Sequence, residues 1–189
     1  MSNTPKPPEK GKRPRQTEIT QSASVRRFLI TFGLVFAGLM FLTYQVLYLD
    51  PIFVPWATLN GKLCALILGP FLDNVTSNGD ILGAEGFSVR ILRGCDSFQA
   101  SAVLMAGIVA FPATRNERLM GAGIGLTFLF LLNIVRLCIM LIVGIHHRTL
   151  FDTFHTQIMP VVFVVAALGA WMLWALKVGK PEAPSAETA

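Results

Sequence analysis

Charge is scarce in this sequence. Charged residues make up 14% of its 189 positions and hydrophobic residues 53%, at a mean hydropathy of +0.58. A soluble domain of this length needs more charge to cover its surface, so the deficit argues against an ordinary globular protein and leaves the apolar excess to face lipid. Cysteine is also sparse. Cys64, Cys95 and Cys138 stand far apart with no CxxC spacing, which argues against a redox dithiol and a zinc knuckle. An odd number of cysteines leaves at least one free thiol. No A-x-A cleavage signal follows the first apolar run, so that run reads as an uncleaved anchor.

What charge there is has a pattern. The net charge is +5, but the basic residues gather in the N-terminal tail (Lys6, Lys10, Lys12, Arg13, Arg15) and directly before the first apolar run (Arg26, Arg27). That placement orients a membrane protein and does not form a nucleic-acid patch. Residues 1–25 are rich in Pro, Lys, Ser and Thr and lack an apolar face, which predicts a disordered basic cytoplasmic tail. Residues 26–177 form one polytopic membrane domain, and 178–189 a second disordered tail.

Within the domain, Phe28–Leu49 is long enough to cross a bilayer of about 30 Å. Residues 56–72 are apolar but interrupted by Asn60, Gly61, Lys62, Gly69 and Pro70. Residues 79–94 (GDILGAEGFSVRILRG) alternate and carry turn glycines, which predicts a short β-hairpin outside the lipid. Further apolar runs cover Phe98–Phe111, Leu119–Ile145 (broken by Asn133 and Arg136) and Ile158–Leu176. Counting 56–72 as a crossing gives five spans, and counting it as an interfacial helix gives four. The positive-inside rule favours four, with the N-terminal tail, Arg115, Arg118, Lys177 and Lys180 all cytoplasmic. The expected fold is therefore an all-α integral membrane protein of about four transmembrane helices, an interfacial helix and a short extracytoplasmic β-hairpin.

Three polar features stand out in this setting. Cys95 falls at the outer mouth of the second span. Asp96 is placed to cap that helix, with Gln99 completing a capping box, and the helix dipole would favour a thiolate. An isolated buried cysteine is more often a small hydrophobe. Arg136 lies inside an apolar run, where insertion costs about 2.5–3.5 kcal/mol at the centre. It sits about 25 Å up its helix, near the outer boundary, and Asn133 shares its face one turn earlier. The bland reading is a snorkelling arginine with an asparagine as packing glue. His155 opens the last helix on the outer side, with Asp152 one turn before it to orient the imidazole; otherwise it is a solvated loop histidine. His146 and His147 raise a metal site, but adjacent side chains diverge and no acidic cluster accompanies them. No metal or other cofactor is expected. Together a thiol, a guanidinium and an imidazole from three spans meet one membrane face, the set that acyl transfer needs.

The segments RGCDSFQA (Arg93–Ala100), LNIVRL (Leu132–Leu137) and FDTFHTQ (Phe151–Gln157) occur in an order and spacing that resemble the exosortase/archaeosortase family, and within it the short exosortase H type. The resemblance runs from about Trp56 to Trp174. It places the nucleophile on Cys95, the arginine on Arg136 with Asn133 beside it, and the histidine on His155. Relatives commonly read C-S-G-L after the cysteine, whereas this chain has Ser97 where they have glycine. The resemblance implies a cysteine peptidase or transpeptidase of the bacterial cytoplasmic (inner) membrane, with its site on the extracytoplasmic side. Its partners would be the lipid bilayer and exported proteins ending in a short motif, a transmembrane helix and a basic tail, with an acceptor of unknown identity and no nucleic acid. Gly121, Gly123 and Gly125 would allow close helix approach, chiefly for internal packing. The competing class is a non-catalytic membrane assembly or transport subunit with a buried Asn/Arg polar site.

Overall fold

The computed structural model describes residues 14–178. Helix α1 spans Pro14–Leu42 and continues through a wider π turn at Thr43–Leu47. It begins at Pro14, inside the segment expected to be disordered; residues 1–13 and 179–189 lie outside the described residues. Next come α2 (Asp50–Leu68), strands β1 (Thr76–Asn78), β2 (Ile81–Ala84) and β3 (Phe87–Arg90), then α3 (Phe98–Ala110) and α4 (Arg115–His146). A short α5 (Arg148–Thr153), a π turn at Phe154–Ile158 and α6 (Met159–Val178) close the chain as one run of helix.

Local chemistry sets these boundaries. Pro51 sits in the first turn of α2, where its missing N–H costs nothing. The TRNE run starting α4 forms a full capping box: Glu117 N–H donates to Thr114 Oγ1, and the Glu117 carboxylate accepts from Thr114 N–H at 2.8 Å. Pro160 lies in the first turn of α6, but helix precedes it without a break. A proline there removes an i→i−4 bond and crowds the preceding turn, and the π turn next to it, which carries His155, supplies the extra room. The expected hairpin is a three-stranded antiparallel sheet of order β1-β2-β3. β1 escaped the sequence reading because Thr-Ser-Asn shows no apolar alternation. The β2–β3 turn is Glu85-Gly86, both with positive φ, the geometry that suits a two-residue hairpin.

Among the described residues, four helical runs are long and apolar enough to cross a membrane: Ser24–Leu47, Asp50–Leu68, Arg115–His146 and Arg148–Val178. By length alone this set includes α2 and leaves out α3, whose 13 residues reach about 20 Å. Side-chain contacts give the running directions. Trp56 meets Phe130, Asn60 meets Asn133 and Cys64 meets Cys138, so α2 runs parallel to α4. Phe111 and Glu117 meet Trp174, while Arg136 meets Phe163, so α4 and α6 are antiparallel. Helix α1 has Phe28 on Trp171 and Tyr48 beside Asp96, so it runs from the Trp174 end to the Cys95 end. Since α2 starts there without returning, it rides along the upper half of α4, and α3 makes the return through the bundle. The segment read as an interfacial helix over 56–72 is the helix α2, which begins at Asp50 and is itself long and apolar enough to cross.

Two apolar clusters hold the layers. One, near Cys95, joins Phe53, Cys64, Leu82, Ile91, Leu137 and Leu141. The other joins Leu104, Ile108, Leu129, Phe163 and Ala167 of α3, α4 and α6. Gly121 and Gly125 face Trp174 and Leu104 inside the bundle, whereas Gly123 meets nothing within 4 Å. Gly144 receives the Phe87 ring, which seats the sheet on the far end of α4.

Candidate active site

Cys95 lies in the turn between β3 and α3, and a network around Arg93 and Asp96 fixes that turn. Arg93 Nε donates to Tyr48 O at 2.8 Å, its guanidinium pairs with Asp50, and it lies over the Phe53 ring. One arginine thus ties the end of α1 and the start of α2 to the loop. Asp96, 1% exposed, accepts from Phe98 N–H at 3.1 Å and Gly94 N–H at 3.3 Å, with Tyr48 Oη at 3.5 Å. Burial pushes its carboxyl above the ordinary range, and the Phe98 and Gly94 amides pull it back in part. The phenol of Tyr48 is also raised, by burial first and by the Asp96 charge second.

This arrangement corrects the expected capping box. The residue preceding α3 is Ser97, in the left-handed region at φ 64°, and its side chain donates to Asp96 O at 2.6 Å without capping the helix. Gln99 donates to Tyr44 Oη. The left-handed conformation strains a residue with a Cβ, and it falls at the position where the resembled family carries glycine.

The three expected site residues come together. Arg136, 6% exposed, directs Nη2 at Cys95 Sγ from 3.7 Å, with its guanidinium over the Phe163 ring. Cys95 Sγ lies 3.6 Å from His155 Nε2 and 3.8 Å from Nδ1. The imidazole stacks on Phe151, ring planes 10° apart, and Phe151 in turn packs on Phe87 of β3. The sheet thereby helps to set the imidazole's orientation. Among the described residues no carboxylate lies within ion-pair distance of Arg136, so its charge is free to act on the thiol. The Cys95 thiol is nevertheless raised, by burial first; Arg136 opposes this and the Asp96 charge adds to it. Whatever lowers its pKa comes mainly from Arg136.

The two supporting residues do other work than expected. Asn133, fully buried, makes no bond to Arg136; its Nδ2 donates to Asn60 Oδ1 at 3.1 Å, and Asn60 Nδ2 donates to Trp56 O. It fastens α2 to α4. Asp152 is exposed, and the Asp152 contact near this site is its backbone carbonyl accepting from Thr156. Its carboxylate acts on His155 only through space. Sequence reasoning missed Arg93, Tyr48, Phe151 and Phe163 as positioning groups. Arg93 and Phe151 sit inside the quoted motifs, so a signal existed; Tyr48 and Phe163 are ordinary aromatic residues of apolar runs and carried none.

No set of three or more His, Cys, Asp or Glu side chains among the described residues is grouped to hold a metal ion, and His146 directs Nδ1 at Ile142 O. An apolar groove of about 600 Å³ lies between α4 and α6, lined by Ile124, Gly125, Phe128, Gly169 and Leu173, at the Trp174 end and away from Cys95. Comparison with protein-family models, with curated proteins and with solved structures finds no match for this chain.

Proposed function

We propose that the protein is a membrane-embedded cysteine peptidase or transpeptidase of the exosortase type. One observation carries the reading: a buried thiol within 3.6–3.8 Å of an imidazole and a guanidinium that come from two other helices. A buried arginine without a carboxylate partner is costly in an apolar bundle, and stabilising an anion at Cys95 gives it a purpose. In the mechanism, Cys95 Sγ passes its proton to His155 and attacks a peptide carbonyl. Arg136 stabilises the thiolate and the oxyanion of the tetrahedral intermediate. His155 then protonates the leaving amine, the C–N bond breaks, and a thioester remains. Water or an acceptor amine, deprotonated by His155, resolves the thioester and regenerates the thiol.

The substrate class follows from the resemblance: exported proteins ending in a short motif, a transmembrane helix and a basic tail. On this reading the site faces the extracytoplasmic side of the bacterial inner membrane, a side supported by Arg115, Arg118 and Lys177 at the opposite end of the bundle. Thiol labelling on intact cells tests both the side and the chemistry. A membrane-impermeant maleimide should modify Cys95 and spare Cys64 and Cys138. Equal labelling of all three, or labelling of Cys95 only after lysis, contradicts the reading.

A further inference from the structure

Cys64 and Cys138 are 74 positions apart in sequence, yet their sulfurs meet at 3.0 Å in the apolar cluster beneath the sheet. The contact is the last of three matched pairs along the parallel helices α2 and α4, after Trp56 with Phe130 and Asn60 with Asn133. The helices are therefore already in register around the two thiols. A disulfide needs the sulfurs at about 2.0 Å, roughly 1 Å closer than they stand.

We propose that Cys64 and Cys138 form a two-electron redox pair whose oxidised state is a disulfide joining α2 to α4. The oxidant class is a hydroperoxide, small enough to enter a packed cluster. Cys138 is the less buried of the two, at 8% against 0%, so it reacts first. Its sulfur attacks a peroxide oxygen, the O–O bond breaks, and the thiol proton leaves with the departing oxygen as water, giving a sulfenic acid. The Cys64 sulfur then attacks the Cys138 sulfur and loses its own proton, the S–O bond breaks, and a second water departs. Two thiols and one hydrogen peroxide give one disulfide and two waters. Cys95 stays outside the pair, since its neighbours are His155 and Arg136. Cys138 is two residues beyond Arg136, so the crosslink fixes the part of α4 from which the guanidinium projects. The inference does not depend on the catalytic reading, and neither result below bears on it.

The test uses the full chain carrying Cys95→Ser, purified in detergent and treated with hydrogen peroxide. It is then denatured and alkylated with a maleimide, with or without prior reduction by a phosphine. The expected intact mass is that of the untreated chain less two hydrogens, with no maleimide added before reduction and two added after it. Two maleimides without reduction, oxygen added in place of the crosslink, or a disulfide-linked dimer each overturn the proposal. Peptide mapping of the peroxide-treated wild-type chain makes the test independent of how Cys95→Ser folds. A linked Cys64–Cys138 peptide supports the pair, and its absence, or a linkage through Cys95, overturns it.

Discussion

Two glycines one half-turn apart on α4 offer a test of the packing, because the structure assigns them opposite surroundings. A Cβ at Gly121 would lie 2.6 Å from Trp174 Cδ1 and 2.7 Å from Cε2, whereas one at Gly123 meets nothing within 4 Å. The Trp174 Nε1 is nearer still, and relieving Gly121→Ala to ordinary contact at 3.4 Å moves the indole by about 1.1 Å. The indole is held by its Nε1–H bond to Glu117 O at 3.0 Å and by Phe111 edge-on at 5.6 Å. Overpacking costs about 1–3 kcal/mol, and the strained or lost hydrogen bond about 0.5–1.5 kcal/mol. Alanine's helix propensity returns about 1 kcal/mol, for a net loss of roughly 0.5–3.5 kcal/mol. Gly123→Ala keeps the gain alone. For a chain of this size each kcal/mol moves Tm by about 2–4 °C. Thermal unfolding in one detergent should thus show Gly121→Ala falling by roughly 1–14 °C and Gly123→Ala unchanged or slightly raised. Equal shifts in the two variants would refute the packing of α6 on α4 described above.

Further outcomes follow from the buried polar groups. Asn60→Leu and Asn133→Leu each strand the other amide inside the bundle, at a cost of about 1–3 kcal/mol; the double Leu variant should recover much of that loss in a thermal double-mutant cycle, and simple additivity contradicts the pairing. Cys95 alkylation should rise with pH through a range above that of an ordinary thiol, because burial disfavours the thiolate more than Arg136 favours it. Arg136→Gln removes the favourable charge, so its rate–pH profile should move to still higher pH. A profile that stays in place shows that the guanidinium does not act on the sulfur.

The sequence was most legible where one physical rule dominates. Apolar runs of bilayer length marked α1, α4 and α6, although the α4 run was read from Leu119 and the helix already starts at Arg115, behind the Thr114 cap. Cys95, Arg136 and His155 were visible as polar groups that an apolar bundle must account for, and the structure brings all three together. Partner choice was not legible. Asn133 faces Asn60 because α2 runs parallel to α4, a direction set by the chain turning at Leu49 without recrossing. Asp152 was expected beside His155 on the spacing of a regular helix turn, but the wider π turn next to Pro160 intervenes. Ser97 in the left-handed region displaced the expected cap at Asp96. The contact of Cys64 with Cys138 was invisible to spacing rules, since no local motif links residues on separate helices.

The most direct test of the central claim is processing of an exported protein that ends in a short motif, a transmembrane helix and a basic tail. Each such candidate encoded by the same genome is C-terminally tagged and co-expressed with the wild-type chain or with Cys95→Ala, Arg136→Ala or His155→Ala, membrane levels of the variants being matched. The account predicts that the wild-type chain releases the tagged tail of at least one candidate. Cys95→Ala should abolish release, and Arg136→Ala should slow it by about 10²–10³, the usual cost of losing one oxyanion-stabilising donor. Wild-type processing by Cys95→Ala, or no processing of any candidate by the wild-type chain, contradicts the account and favours a non-catalytic membrane subunit.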